Sequence, residues 1–230
     1  MAVPTENELL HRARQGDAAA FEALIRRHDK HLYRVARSVL LPSLTRAGAS
    51  LRAVVTATGL SARSAAERFG FATYSTSVDT VWRDSDCDGV VIATRHDSHA
   101  QLTIDALEAG KAVLVEKPLC VTEAELDRIV HVVETLRLAG QTPFLMVGFN
   151  RRFAATVDAV RRAMAGVPIS IVYRVNAGRV PPESWIARAE ESGGRIIGEV
   201  CHFVDLCAHL ADSPIAEVSA TRSSAGPDDV

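Results

Sequence analysis

Short apolar runs that never alternate with polar residues set the first limit on what this chain can fold into. Asp88–Ala93 (DGVVIA), Ala112–Val115 (AVLV) and Phe144–Val147 (FLMV) are three such runs, and Leu51–Val55 is a fourth. A strand with one wet face alternates; a strand without alternation is buried on both faces, as in a parallel sheet covered by helices. Between the runs lie helical patterns with their own punctuation. Ser61–Phe69 ends at Gly70, and Ser98 is expected to cap a helix that stops at Gly110. Thr122-Glu123-Ala124-Glu125 is a capping box that opens a helix to about Ala139. With Phe71–Tyr74 as a weaker strand, the expected class is α/β, a doubly wound Rossmann-type parallel sheet.

That sheet is expected to be incomplete at its start. A dinucleotide-binding domain opens on a strand and a GxGxxG turn, where backbone amides approach the pyrophosphate without a Cβ in the way. Here the expected helix, about Ser38 to Ala47, is preceded by YRVAR, and no glycine occurs between Gly16 and Gly48. In the strand order 3-2-1-4-5-6 the first strand is central. Without it, the 51–55 and 88–93 strands must pair directly, or each must leave an edge open at about 1–3 kcal/mol per buried unpaired group.

After Gly148 the rhythm changes. Phe153–Ala165 is helical by pattern, Ile169–Val175 (ISIVYRV) reads as a strand, and Pro181-Pro182 as a turn. Gly193-Gly194 precedes a helix around Glu199–Leu210, and a last strand is expected at Ile215–Ala220. These are the opening elements of an α+β second domain, expected to be cut short.

The net charge of −2 gives no bulk attraction to nucleic acid or an anionic membrane. The four cysteines form no CxxC pair, there is no signal peptide, and no apolar run has membrane-spanning length. The expectation is a reduced, cytoplasmic chain with no membrane association. No metal site is expected, because His96 and His99 lack a third ligand of the right kind nearby.

Four ordered motifs then carry a resemblance: ATRHDSHA (Ala93–Ala100), VLVEKPL (Val113–Leu119), GFNRRF (Gly148–Phe153) and GGRIIGEVCHFVDL (Gly193–Leu206). Together they resemble the Gfo/Idh/MocA oxidoreductases, from about residue 38 to 220. The resemblance implies hydride transfer between NAD or NADP and a sugar-like or polyol alcohol or ketone, with homo-oligomers among the assemblies. It implies that Lys117 of the Glu116-Lys117-Pro118 turn and His202 handle the hydroxyl proton. Many members carry an aspartate four residues before that histidine; Gly198 stands there, and Glu199 follows as a third catalytic candidate. Ala93, Thr94, Arg95, His99, Glu116 and Lys117 are the expected cofactor contacts. Thr56 stands where a ribose-binding acid is expected, a slight lean toward NADP. Arg151, Arg152, Trp185 and His202 are the expected substrate contacts.

Residues 6–38 (ENELLHRARQGDAAAFEALIRRHDKHLYRVARS) instead resemble region two of an extracytoplasmic-function sigma factor, through Gly16, Asp17, Ala20, Phe21 and the basic helix that follows. The expected organisation is a sigma-like helical fragment at 1–37, a dinucleotide-binding domain without its first strand at 38–148, and a truncated substrate domain at 149–230. Three readings stay open: an oxidoreductase impaired by the missing loop, a transcription-associated chain binding RNA polymerase or DNA, and an inactive chimeric remnant.

Overall fold

The computed structural model describes residues 41–221 except Arg179 and Pro182, together with Glu8. The sigma-like segment expected at 6–38 thus lies outside the described residues, Glu8 apart. Two compact units divide between Val81 and Trp82.

The first unit contains helix α1 (Leu41–Arg46), strand β1 (Ala53–Val55), helix α2 (Gly59–Phe69) and strand β2 (Thr73–Ser75). β1 and β2 pair in parallel, Ala53 opposite Thr73 and Val55 opposite Ser75, so α2 is a crossover helix. Thr58 caps it, its hydroxyl accepting from Ser61 N at 3.3 Å, and Gly70 ends it at φ 77°, a conformation that suits a residue without a Cβ. The buried face of α2 is Ala62, Ala65 and Ala66, and these small side chains let the helix lie close over the two strands.

Helix α3 (Asp79–Trp82) spans the division, and the second unit continues into strand β3 (Gly89–Ile92). Helix α4 (His96–Glu108), strand β4 (Ala112–Val115), helix α5 (Glu123–Leu138) and strand β5 (Leu145–Val147) follow. β3, β4 and β5 form one parallel sheet with β4 in the middle; Gly89 faces Ala112, and Val113 faces Leu145. The Rossmann-type α/β class is therefore as expected. Val113 and Val115 point into a core with Ile92, Ala106 and Leu107, and Ile129 of α5 packs with Ala100 and Ile104 of α4. The capping box on α5 forms, Thr122 accepting from Glu125 N while Glu125 accepts from Thr122 N.

Three expectations are corrected. The strands were expected to be buried on both faces, yet Val91 and Met146 are exposed, and α4 and α5 both pack on the Val113–Val115 face. Ser98 does not cap α4; Arg95 is the N-cap residue, and the Ser98 hydroxyl donates to Arg95 O at 2.8 Å from inside the first turn. Ile169–Val175 and Ile215–Ala220 form no strands. Their composition suits a pleated surface, but a strand exists only when a neighbour takes up its amides and carbonyls, and no described residue does so. Val172 is 95% exposed as a result. β1 and β3 belong to separate sheets and do not pair directly, so each keeps one open edge among the described residues.

The remaining elements are a 3-10 turn (Asn150–Phe153), helix α6 (Ala155–Ala163), a 3-10 turn (Trp185–Ala187) and helix α7 (Ala189–Ser192). A π-helical turn (Ile196–Val200) then runs straight into helix α8 (Cys201–Ala211). Among the described residues, no helix is long and apolar enough to cross a membrane.

Leu107 is 2% exposed and packs between helix and sheet, whereas Leu138 is 91% exposed. Leu107→Ala is expected to cost about 2–5 kcal/mol in urea denaturation followed by circular dichroism. Leu138→Ala should stay within about 0.5 kcal/mol of the parent.

Candidate active site

Because β3, β4 and β5 are parallel, the loops that follow them leave from one end of the sheet, where open α/β folds bind ligands. Ala93-Thr94-Arg95 follows β3, Glu116-Lys117-Pro118 follows β4, and Gly148-Phe149 follows β5. Two further ladder bonds hold these loops in step: Glu116 N donates to Ile92 O at 2.9 Å and Gly148 N to Val115 O at 2.7 Å. Glycine is needed at 148 because an added Cβ would lie 3.0 Å from Glu116 Oε2 and 3.3 Å from Glu116 Cα.

Buried His99 ties two of the loops together. Its Nδ1 lies 2.7 Å from Pro118 O and its Nε2 3.1 Å from Thr94 O. Each ring nitrogen faces a backbone carbonyl, and the N–H of the imidazole donates to one of the two according to its tautomer, so His99 shapes the site from behind. Thr94 receives the Ser98 hydroxyl at 2.7 Å.

The Lys117 side chain is 15% exposed and reaches across to the π-helical turn, donating to Gly198 O at 2.6 Å and Glu199 Oε1 at 3.1 Å. A π-turn accommodates one more residue than an α-turn and so shifts the register of the side chains beyond it. Here it delivers the Gly198 carbonyl and the Glu199 carboxylate to the same ammonium. Position 198 is closely packed: an added Cβ would lie 3.3 Å from His96 Cε1 and 3.3 Å from Ser192 O. The aspartate that the resemblance led us to expect at 198 is thus replaced by the imidazole of His96, and the nearby carboxylate comes from the next residue.

His202 lies on α8, 7% exposed, with the Phe149 ring edge-on at 6.1 Å. Its Nδ1 is buried and has no hydrogen-bond partner among the described residues. Burial pushes its pKa below the ordinary 6.5, and the charges of Lys117 and Arg151 push the same way, against Glu199 and Asp205. His202 is therefore neutral near pH 7. An open, largely apolar pocket of about 470 Å³ adjoins these groups, lined by Pro118, Leu119, Cys120, Phe149, Val200 and Val204 among others. Burial raises the Cys120 and Cys201 thiols beside it, which keeps them protonated.

The expected substrate residues separate. Arg152 forms a two-point ion pair with the buried Asp205 carboxylate, its Nε at 2.7 Å from Oδ2. Arg151 instead lies over the Phe203 ring at 4.7 Å and donates to Tyr173 Oη at 3.3 Å. Trp185 joins neither. It packs edge-on against His96 at 4.8 Å and beneath Arg95, whose guanidinium pairs with Glu191 at 2.7 Å. Thr56, in the first unit, donates its hydroxyl to Thr58 O at 2.9 Å. Tyr173 and Phe203 were missed by sequence reasoning; the spacing places Asp205 on the His202 face of one helix but does not reveal Arg152 as its partner.

These groups fit the nicotinamide end of a dinucleotide. An apolar pocket can take a ring face, the orphaned His202 Nδ1 can take a polar partner, and Lys117 sits at the carboxyl end of β4. For the pyrophosphate end, the stretch from 17 to 47 contains no glycine and so offers no GxGxxG turn.

Comparison with known proteins gives a consistent result. The family model for the Gfo/Idh/MocA oxidoreductase family, NAD-binding Rossmann fold, matches residues 22–142, more than half of the 230-residue chain. The match begins inside the stretch read as sigma-like and upstream of the start expected at 38. A 1,5-anhydro-D-fructose reductase from Ensifer adhaerens is 31% identical over 200 residues, 84% of this chain and 58% of the reductase. An inositol 2-dehydrogenase from Rhizobium meliloti is 32% identical over 151 residues, 64% of this chain and 43% of that enzyme. Among solved structures, levoglucosan dehydrogenase in complex with NADH and levoglucosan superposes with a TM-score of 0.61 at 26% identity. That superposition covers 70% of this chain and 45% of the dehydrogenase. The chain spans about half the length of the curated relatives it matches.

His202 and His96 both have pKa values lowered chiefly by burial, so below about 6.5 the unfolded chain takes up protons before the folded one. The melting temperature is expected to fall as pH drops from about 6.5 toward 5. His202→Gln should flatten part of that slope in thermal denaturation across the same range.

Proposed function

The chain belongs to the Gfo/Idh/MocA oxidoreductase family, and on that footing we propose that it interconverts a sugar-like or polyol alcohol and its ketone with a nicotinamide cofactor. The observation that carries the reading is the Lys117 ammonium held by Gly198 O and Glu199 beside a neutral, buried His202. In this reading residues 38–148 serve the cofactor and 149–230 the substrate side. When bound, the nicotinamide supplies or accepts the hydride at the carbinol carbon.

The residues of the chain handle the other half of the reaction, the hydroxyl proton. A lysine ammonium has three N–H donors. Two are used on Gly198 O and Glu199 Oε1, and the third remains for the substrate oxygen. During ketone reduction Lys117 gives that proton to the oxygen as the hydride arrives at carbon. During alcohol oxidation the proton returns along the same path, with the half-exposed Glu199 carboxylate as the acceptor that passes it to solvent. Neutral His202 stands beside Lys117 as the second group at the hydroxyl. The apolar pocket receives the flat, less polar face of the ring. Levoglucosan dehydrogenase was solved with NADH, which makes NADH the first cofactor to titrate here. A preference for NADP rests on Thr56 alone, and its hydroxyl is already donated within its own loop.

Titration with NADH and NADPH, followed by cofactor fluorescence, is expected to give saturable binding. Oxidation of a polyol panel should then fall about 10²–10⁴-fold in kcat/KM for Lys117→Met. No saturable binding of either nucleotide would overturn the reading.

A further inference from the structure

The charged side chains around the candidate site differ in how they are paired. Lys117 is paired with Glu199, and Arg152 with Asp205. Arg151 pairs with no carboxylate among the described residues; its contacts are the Phe203 ring and the Tyr173 hydroxyl. It is nevertheless close enough to His202 for its charge to lower the pKa of that imidazole.

We propose that Arg151 and Tyr173 bind a carboxylate on the substrate, so that the natural substrate is an acidic sugar of the hexuronate type. The inference rests on the oxidoreductase reading above and narrows its substrate class. Phe203 and Tyr173 stack at 5.0 Å and 26°, and the Arg151 guanidinium lies over the Phe203 ring at 4.7 Å. Stacking fixes the guanidinium plane while leaving N–H edges free, the arrangement that suits two-point recognition of a carboxylate. Tyr173 accepts from Arg151 through its oxygen, so its own O–H is free to donate to a second carboxylate oxygen. Neighbouring Glu199 and Asp205 repel an incoming anion, but each already faces its own cation. Arg152 cannot take the same role without abandoning the buried Asp205.

Calorimetric titration of the full chain with D-glucuronate and with D-glucose, each with NADH present, tests this directly. Glucuronate is expected to bind at least tenfold more tightly than glucose. Arg151→Met should abolish that preference by weakening glucuronate binding at least tenfold more than glucose binding, and Arg151→Lys should restore only part of it. Should Arg151→Met lose its near-UV circular dichroism, the parent chain decides by salt: glucuronate binding must weaken with added NaCl and glucose binding must not. Equal affinities, a preference that survives in Arg151→Met, or a salt-insensitive preference would overturn the proposal. Binding of NADH without either sugar would overturn it and leave the cofactor reading standing; loss of NADH binding as well would remove both.

Discussion

β4 is hydrogen-bonded along both edges, and the candidate site takes its positions from where that strand stops. Val113 and Val115 are fully buried on one side of it, so the strand can neither slide nor tilt without opening the core. Its last bonded residues hand over directly to Glu116 and Lys117. His99 then fastens the outgoing Pro118 carbonyl to the Thr94 carbonyl of the neighbouring loop. A lysine on a long flexible stem gains a defined position only when its base is rigid and its head is held. The sheet supplies the first condition and the π-helical turn the second.

The value of the Lys117–Glu199 contact is positional more than energetic. Glu199 is 43% exposed, and a pair open to water on one side contributes little net stability. What the pair does is choose one rotamer of Lys117 from many and keep a carboxylate near the proton it carries. Arg152 and Asp205 are a different case, because the carboxylate there is buried and truncating either partner would strand a charge. Two neighbouring arginines in one short motif thus divide the work: one fastens the 3-10 turn at 150–153 to α8, and the other remains open to a ligand.

Much of the sheet was legible in the sequence because its signals are local. The apolar runs at β3, β4 and β5 and the Thr122 capping box needed no knowledge of distant residues. ISIVYRV misled for the opposite reason: β-propensity reports side-chain shape, whereas a ladder needs a partner strand. Ser98 looked like a cap because serine favours that position, yet the chain had already turned into helix at His96. Lys117 and His202 were visible as motif residues, and the structure brings them together. The distinct fates of Arg151 and Arg152 were not readable, since adjacent positions leave a 3-10 turn in different directions and only the fold decides what each meets. Tyr173 was hidden for a related reason, lying in a segment whose partner is an aromatic ring on α8 instead of a strand.

Gly198 ties the history of this site to a second residue. The ring that fills the space beside it belongs to His96, whose Nδ1 is 2.9 Å from Ser192 O, so the imidazole is anchored and cannot simply swing away. A side chain at 198 would press on the present imidazole at 96 and on Ser192 O, each 3.3 Å from an added Cβ. A carboxylate at 198 therefore asks residue 96 to yield as well, and shrinking residue 96 would leave an unfilled space against Trp185. The two positions are coupled through this packing although 101 residues separate them in the chain.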